Sequence, residues 1–121
     1  MSESSFEFQK KFDFSQRLAE ASRIRSKYPN RVPIILEKSA SCHTVPDIDK
    51  KKFLVPQDLT MGQFQYVVRK RLKDLSAEQG LFFFVNDTMP PVSELLSVLY
   101  SAHKSTDGFL YMMFAGENTF G

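Results

Sequence analysis

A chain of 121 residues with 42% hydrophobic and 25% charged residues is long enough for one domain with an apolar core. Its single cysteine, Cys42, excludes an internal disulfide scaffold and favours a reducing compartment. The longest apolar run, over 81–85, is too short to span a bilayer, and the first twelve residues lack the apolar segment of a secretory leader. We therefore expect a soluble fold.

The net charge is only +2, but the basic residues concentrate in the first part of the chain. Up to Lys73 there are 15 Lys and Arg residues against 8 Asp and Glu, and after it 1 against 6. A basic face favours acidic partners, which include nucleic acid, anionic lipid headgroups and acidic peptide segments. A solvated charged surface is the alternative for any single run, such as the three lysines over 50–52.

Two helices are predicted at the start of the chain. Ser4 and Glu7 have the spacing of a capping box that opens a short helix. Asp13 can cap a longer helix, which ends at Pro29.

Four apolar runs predict the strands of a sheet. The first covers 31–37, where Pro33 would need a sheet edge or a bulge, and the second covers 51–55. The third and fourth, over 81–85 and 109–115, are apolar throughout, which favours well-covered strands, the last of them central.

The strands alternate with two further predicted helices. Thr60 and Gln63 have the spacing of a second capping box, and the apolar residues after them have helical periodicity over 61–74. Two prolines at 90–91 lead into a shorter helix. The resulting element order predicts an α+β fold, a small mixed sheet with helices packed on it.

The chain offers few candidate residues for a catalytic or metal-binding site. A thiol hydrolase needs a cysteine beside a base, but Cys42 and His43 are neighbours whose side chains diverge in an extended loop. No motif that would stabilise an oxyanion supports a pairing of Cys42 with His103. One cysteine and two histidines also fall short of a zinc pattern, and no phosphate-binding glycine motif is present. We expect no catalysis, no metal and no cofactor.

A nucleic-acid interface is the alternative that the basic residues raise, because 69–71 and Lys73 place four cations on one predicted helix. Most aromatic residues, however, fall in the apolar strand runs, which indicates core packing instead of base stacking. We therefore expect no nucleic-acid partner.

Several segments, in a fixed order, resemble one known family. They are KYPNRVP over 27–33, DKKKFLVP over 49–56, DLTMGQF over 58–64, LFFFVN over 81–86, PP over 90–91, GFLY over 108–111 and ENTFG over 117–121. Together they make the chain, from about Phe14 to Gly121, similar to the autophagic ubiquitin-like modifiers, the family of GABARAP, the microtubule-associated light-chain-three proteins and autophagy-related protein eight. The resemblance implies a ubiquitin-like β-grasp fold with a four-stranded mixed sheet and two extra N-terminal helices. It divides the chain into a helical extension over 1–28, a ubiquitin-like domain over 29–115 and a conjugation tail over 116–121.

The resemblance also implies a reaction. In the family an autophagic cysteine protease exposes a C-terminal glycine, E1-like and E2-like enzymes carry it as a thioester, and it is joined to phosphatidylethanolamine. Here Gly121 would be conjugated, and Phe120 and Thr119 would be recognised with it. The protein would be cytoplasmic, and on the autophagosomal membrane when lipidated. A rival class of modifier, conjugated to proteins instead of lipid, shares the fold and the terminal glycine.

The resemblance further implies two pockets for W/F/Y-x-x-L/I/V motifs of cargo receptors and adaptors. The pocket for the aromatic residue of the motif matches Glu20, Ile24, Pro33, Ile35, Lys52, Leu54 and Phe109. The pocket for its aliphatic residue matches Phe53, Val55, Pro56, Leu59, Phe64 and Val67, of which Leu59, Phe64 and Val67 have a core role as the alternative. The peptide would add as a strand beside 51–55. Acidic residues that flank the motif would pair with four cations, Arg31, Lys50, Lys52 and Arg71.

Overall fold

The computed structural model describes residues 6–117. In this part of the chain helices and strands follow the predicted order. Their bounds are α1 (Glu7–Lys11), α2 (Phe14–Lys27), β1 (Arg31–Lys38), β2 (Lys52–Pro56), α3 (Met61–Arg71), β3 (Phe82–Phe84), α4 (Leu96–His103) and β4 (Leu110–Ala115). Among the residues described, no helix is both long and apolar enough to cross a membrane.

The strands form one mixed sheet in the order β2-β1-β4-β3. Strand β1 is antiparallel to β2 and parallel to β4, and β3 is antiparallel to β4. The two central strands are therefore β1 and β4, which confirms the predicted central position of the last strand. Within the described chain, β2 and β3 are the two edges of the sheet.

Both faces of the sheet are covered. On one face Ile34 and Leu36 pack with Phe64 of α3 and Leu96 of α4 in the larger core cluster. On the other face Ile35 packs in a second cluster, whose buried members are Phe6, Ala21, Ile24, Ile35, Phe109 and Met113. Because successive strand residues point to opposite faces, a strand between two layers of helices is apolar at nearly every position.

Capping explains where the helices begin. The predicted boxes at Asp13 and Thr60 are both confirmed, since each side chain accepts the backbone N–H three residues later. The prediction for the first helix was wrong in its bounds, because Glu7 is the first helical residue and Phe6, before it, makes no side-chain cap. Ser4 lies outside the described residues. The orphan N–H groups of Glu7 and Phe8 instead donate to the buried carboxylate of Glu37 in β1, at 2.8 and 2.9 Å.

Two strand predictions need correction. Pro33 lies in a central strand and not at an edge. The pairing of β1 with β4 begins only at Ile34, so Pro33 removes no hydrogen bond from that ladder. The run over 81–85 forms only the three-residue β3 at a sheet edge, where Phe82 is half-buried. An apolar run fixes neither the length of a strand nor its place in the sheet, because neighbouring strands determine both.

Candidate functional site

The exposed edge of β2 offers backbone groups for a further strand. The N–H of Leu36 donates to the carbonyl oxygen of Lys51 at 2.8 Å, so these two residues form a hydrogen-bonded pair of the ladder. Ile34 lies opposite Phe53, two residues along each strand, and forms the next hydrogen-bonded pair. Because bonded and non-bonded pairs alternate in an antiparallel ladder, Lys52 and Leu54 direct their N–H and C=O groups away from β1. The outward carbonyl oxygen of Leu54 accepts a hydrogen bond from the guanidinium of Arg31 at 3.1 Å.

The residues predicted for the aromatic pocket lie together on one side of β2. Ile24, Ile35 and Phe109 are at most 1% exposed, and Pro33 is buried. Leu54 is half-buried and packs against this second core cluster. The buried side chains therefore form a floor, and Leu54 forms the accessible wall beside it.

A crevice of about 320 Å³ opens next to this floor. Its lining residues are Phe8, Phe12, Gln16, Arg17, Glu20 and Lys52. Glu20 and Lys52, both predicted for the aromatic pocket, form an ion pair across it. The hydrogen bond from Lys52, opposed by partial burial, lowers the pKa of Glu20 below its ordinary value.

The N-terminal helix adds aromatic residues that sequence reasoning missed. Phe8 and Phe12 both line the crevice, and the Phe8 ring packs edge-on against Phe109 with centroids 5.2 Å apart. Their i, i+4 spacing on a helix was the available signal, because that spacing places both rings on one face.

The predicted aliphatic pocket divides into core and surface. Phe53, Val55 and Phe64 are buried in the larger core cluster, and the rings of Phe53 and Phe64 meet edge-on at 5.5 Å. Leu59 is half-buried, whereas Val67 is 37% exposed. Pro56, at the end of β2, is exposed as well. The first three residues thus support the surface, and the last three are accessible to a ligand.

Three of the four predicted acidic-flank contacts, Arg31, Lys50 and Arg71, are exposed and have partners within the chain. Arg71 pairs with Asp49 at 3.2 Å, and the ammonium of Lys50 lies 5.0 Å from the Phe53 ring centroid. Arg31 bonds to β2 as described above. Such exposed contacts are weak, so an acidic ligand can replace them at little cost.

A buried carboxylate, also missed from sequence, positions the start of β4. Asp107 is 0% exposed and accepts hydrogen bonds from Arg17 at 2.6 Å, the Tyr111 hydroxyl at 2.5 Å and the Phe109 N–H at 2.9 Å. Burial first, and then the bond to Asp107, raise the pKa of Tyr111 above its ordinary value. This network fixes Phe109, part of the floor of the predicted aromatic pocket, relative to α2.

The cysteine and the two histidines have different surroundings in the described chain. Cys42 is buried, whereas His43, its neighbour, is exposed. The Nδ1 atom of His103 lies 3.0 Å from the amide nitrogen of Asn86.

Of the predicted tail residues, Thr119, Phe120 and Gly121 lie outside the described part of the chain.

This arrangement of sheet and helices is that of a ubiquitin-like protein with two additional helices before the domain. Residues 16–121 match the family described as Autophagy protein Atg8 ubiquitin like. Autophagy-related protein 8a of Arabidopsis thaliana is 56% identical over the whole chain, which covers 96% of that protein. Autophagy-related protein 8 of Kluyveromyces lactis is 54% identical, over 94% of this chain and 90% of that protein. The crystal structure of Trypanosoma brucei ATG8 superposes with a TM-score of 0.87 at 44% identity, over 96% of this chain and 98% of that one.

The chain therefore belongs to the Atg8 family of ubiquitin-like autophagy proteins. This confirms the resemblance and the predicted fold, and it gives the protein a role in autophagy.

Proposed function

We propose that this protein is a modifier joined through Gly121 to phosphatidylethanolamine, which holds the domain on autophagosomal membranes while the β2 edge recruits cargo receptors and adaptors. The observation that carries the proposal is the free edge of β2, with an apolar floor and a crevice on one side and accessible apolar residues on the other. The unconjugated protein would be cytoplasmic.

The edge suits a ligand that binds as an added strand. An extended W/F/Y-x-x-L/I/V segment would bond to the outward N–H and C=O groups of Lys52 and Leu54. Its aromatic side chain would lie over Ile24 and Phe109, and its aliphatic side chain would lie near Val67. Arg31 would leave the carbonyl oxygen of Leu54 and become available to an acidic residue beside the motif.

The tail suits conjugation because glycine has no Cβ that would obstruct the approach of an enzyme to its carboxylate. With ATP, an E1-like enzyme would activate the carboxylate of Gly121 and bind it as a thioester, which an E2-like enzyme would take over. The amine of the lipid headgroup would then attack the thioester carbonyl, form the amide and release the thiol of the enzyme. An autophagic cysteine protease would act on the same terminus. Two acyl chains then hold the domain firmly on a bilayer, whereas one chain gives a partition constant of only about 10⁴ M⁻¹.

Flotation with liposomes tests the conjugation. The full chain and a variant that lacks Gly121 are incubated with purified E1-like and E2-like enzymes, ATP and liposomes that contain phosphatidylethanolamine. We expect the full chain to float and the deletion variant to remain in the soluble fraction. Both should bind a W-x-x-L peptide equally, because Gly121 is not among the residues predicted to contact the peptide.

Equal flotation of both proteins would contradict the proposal and would indicate direct adsorption through the basic face. Mass spectrometry of the product separates the rival class of modifier. A diacyl lipid adduct supports the proposal, and an isopeptide-linked protein ladder without a lipid adduct contradicts it.

A further inference from the structure

The residue that follows β4 is held by a loop distant in sequence. The backbone N–H of Gly116 donates to the Sγ atom of Cys42, with nitrogen and sulfur 3.3 Å apart. Cys42 is 4% exposed, and its Sγ atom also lies 3.7 Å from the hydroxyl of Thr44. The end of the last strand is thus fixed to the loop between β1 and β2.

The space around Gly116 is too small for a Cβ unless neighbouring side chains move. An added Cβ would lie 2.1 Å from the Thr44 hydroxyl oxygen, 2.9 Å from Cγ1 of Val45 and 3.1 Å from Nε2 of Gln79. Gly116 does not have a positive φ angle, so the demand for glycine at this position is steric and not conformational.

Both loops around Gly116 are tied to the rest of the fold. Val45 is 4% exposed and belongs to the larger core cluster. Arg69 of α3 donates to the carbonyl oxygen of Gln79 at 2.8 Å and to that of Ser76 at 3.4 Å. The two sides of the enclosure are therefore supported independently of the tail.

The pKa of the Cys42 thiol agrees with a sulfur that accepts hydrogen bonds. Burial raises the pKa of the Cys42 thiol, but the backbone N–H groups of Gly116, Thr44 and Val45 together lower the pKa below its ordinary value. N–H groups that point at the sulfur stabilise negative charge on it. The same hydrogen bonds hold the backbone of Gly116 against Cys42.

We propose that Cys42, Thr44, Val45 and Gln79 form a clamp on Gly116 that sets the direction in which the conjugation tail leaves the domain. This inference rests on the proposed function, in which Gly121 is the reacting residue. The five residues that follow Gly116 extend the chain by at most about 18 Å, so a turn of about 30° at the clamp displaces the terminus by about 9 Å. The clamp thereby positions Gly121 for the activating and conjugating enzymes.

The first test compares Gly116→Ala with a matched glycine substitution, Gly62→Ala, in α3. An added Cβ at Gly62 would lie 3.2 Å from the carbonyl oxygen of Val92 and 3.4 Å from the Cβ of Val92, and its three nearest atoms belong to Val92 and Thr60 and not to the clamp. Thioester formation with the E1-like enzyme is measured at varied concentrations of each protein. We expect Gly116→Ala to raise KM by about tenfold with kcat nearly unchanged, because a tail that leaves the domain in the productive direction about a tenth as often raises the apparent dissociation constant by the same factor. Gly62→Ala should keep the wild-type KM.

The second test uses Cys42 as its own reporter, since it is the only cysteine in the chain. A maleimide should label native wild-type protein slowly and label Gly116→Ala about tenfold faster or more, because the clamp is open. Both proteins should react at the same rate in urea. Thr44→Ala in the Gly116→Ala background removes the closest contact and should restore much of the wild-type protection.

A third pair of variants covers the case in which Gly116→Ala fails to fold. Cys42→Ser keeps an acceptor for the Gly116 N–H and should have a KM within about twofold of wild type, whereas Cys42→Ala removes the acceptor and should raise it. Equal KM values for Cys42→Ser, Cys42→Ala and wild type would overturn the clamp. If wild-type protein itself formed no thioester, the proposed function would fail instead, so the two failures are distinguishable.

Discussion

Replacement of Asp107 by alanine should be among the most damaging single changes in the described fold. The substitution removes one acceptor from three donors at once, the Arg17 guanidinium, the Tyr111 hydroxyl and the Phe109 N–H. The side chain of Arg17 is 13% exposed and lines the crevice, so its charge would lose its partner in a position that is only partly hydrated.

The size of the loss follows from this burial. Removal of one partner from a buried ion pair typically costs about 3–5 kcal/mol, because the other charge remains desolvated. A domain of this size has a free energy of unfolding of about 5–15 kcal/mol. We therefore expect Asp107→Ala to remove about a fifth or more of the stability and to lower Tm by about 10–25 °C.

Urea unfolding followed by circular dichroism measures this loss, and the chain offers a matched control. Asp49 also pairs with an arginine, Arg71, at 3.2 Å, but its side chain is 64% exposed. Asp49→Ala should cost less than about 1 kcal/mol. Asp107→Asn should fall between the two, because its amide can still accept from the Phe109 N–H but turns an NH₂ group towards Arg17 or Tyr111. If Asp107→Ala cost no more than Asp49→Ala, the reasoning from burial would be refuted.

Three further outcomes are expected. Because folding raises the pKa of Tyr111, the contribution of its protonated hydroxyl to stability is complete below about pH 10 and is lost as the pH rises further, by at most about 1.4 kcal/mol per pH unit. Tyr111→Phe should reduce this loss of stability at alkaline pH, measured by unfolding at a series of pH values. An unchanged pH dependence in the variant would contradict the prediction. Glu37→Ala should cost about 1–3 kcal/mol and speed amide exchange at Phe8, whereas unaltered exchange would show that the carboxylate does not hold α1. Leu54→Ala should weaken binding of a W-x-x-L peptide by about 1–2 kcal/mol in calorimetry, and full affinity would place the peptide elsewhere.

Features encoded by neighbouring residues could be predicted from the sequence. The helix starts at Asp13 and Thr60 are local, because each capping box lies within four residues, and both predictions are confirmed. The apolar runs likewise gave all four strands of the sheet. The edge position of β2 followed from the family resemblance and not from periodicity.

Features that depend on distant residues could not be predicted. The cap of α1 comes from Glu37, about 30 positions away, and the ion pair of Asp107 with Arg17 joins residues 90 positions apart. No periodicity within one element records such pairs. The division of the chain at 28 and 115, the two peptide pockets and the role of Gly121 stay predictions, since they concern ligands, enzymes and boundaries that geometry alone does not test.

Strand β4 connects the two proposed activities and also separates them. Its start is fixed by Asp107, which holds Phe109 at the proposed peptide-binding side, and its end leads into Gly116 and the proposed clamp. Six residues of strand place these ends about 20 Å apart. The tail adds a reach of about 18 Å beyond the clamp, so a lipid at Gly121 and a peptide beside β2 need not compete for space. Because β4 pairs on both sides with other strands, it is a rigid spacer, and a receptor bound at one end would leave the membrane attachment at the other undisturbed.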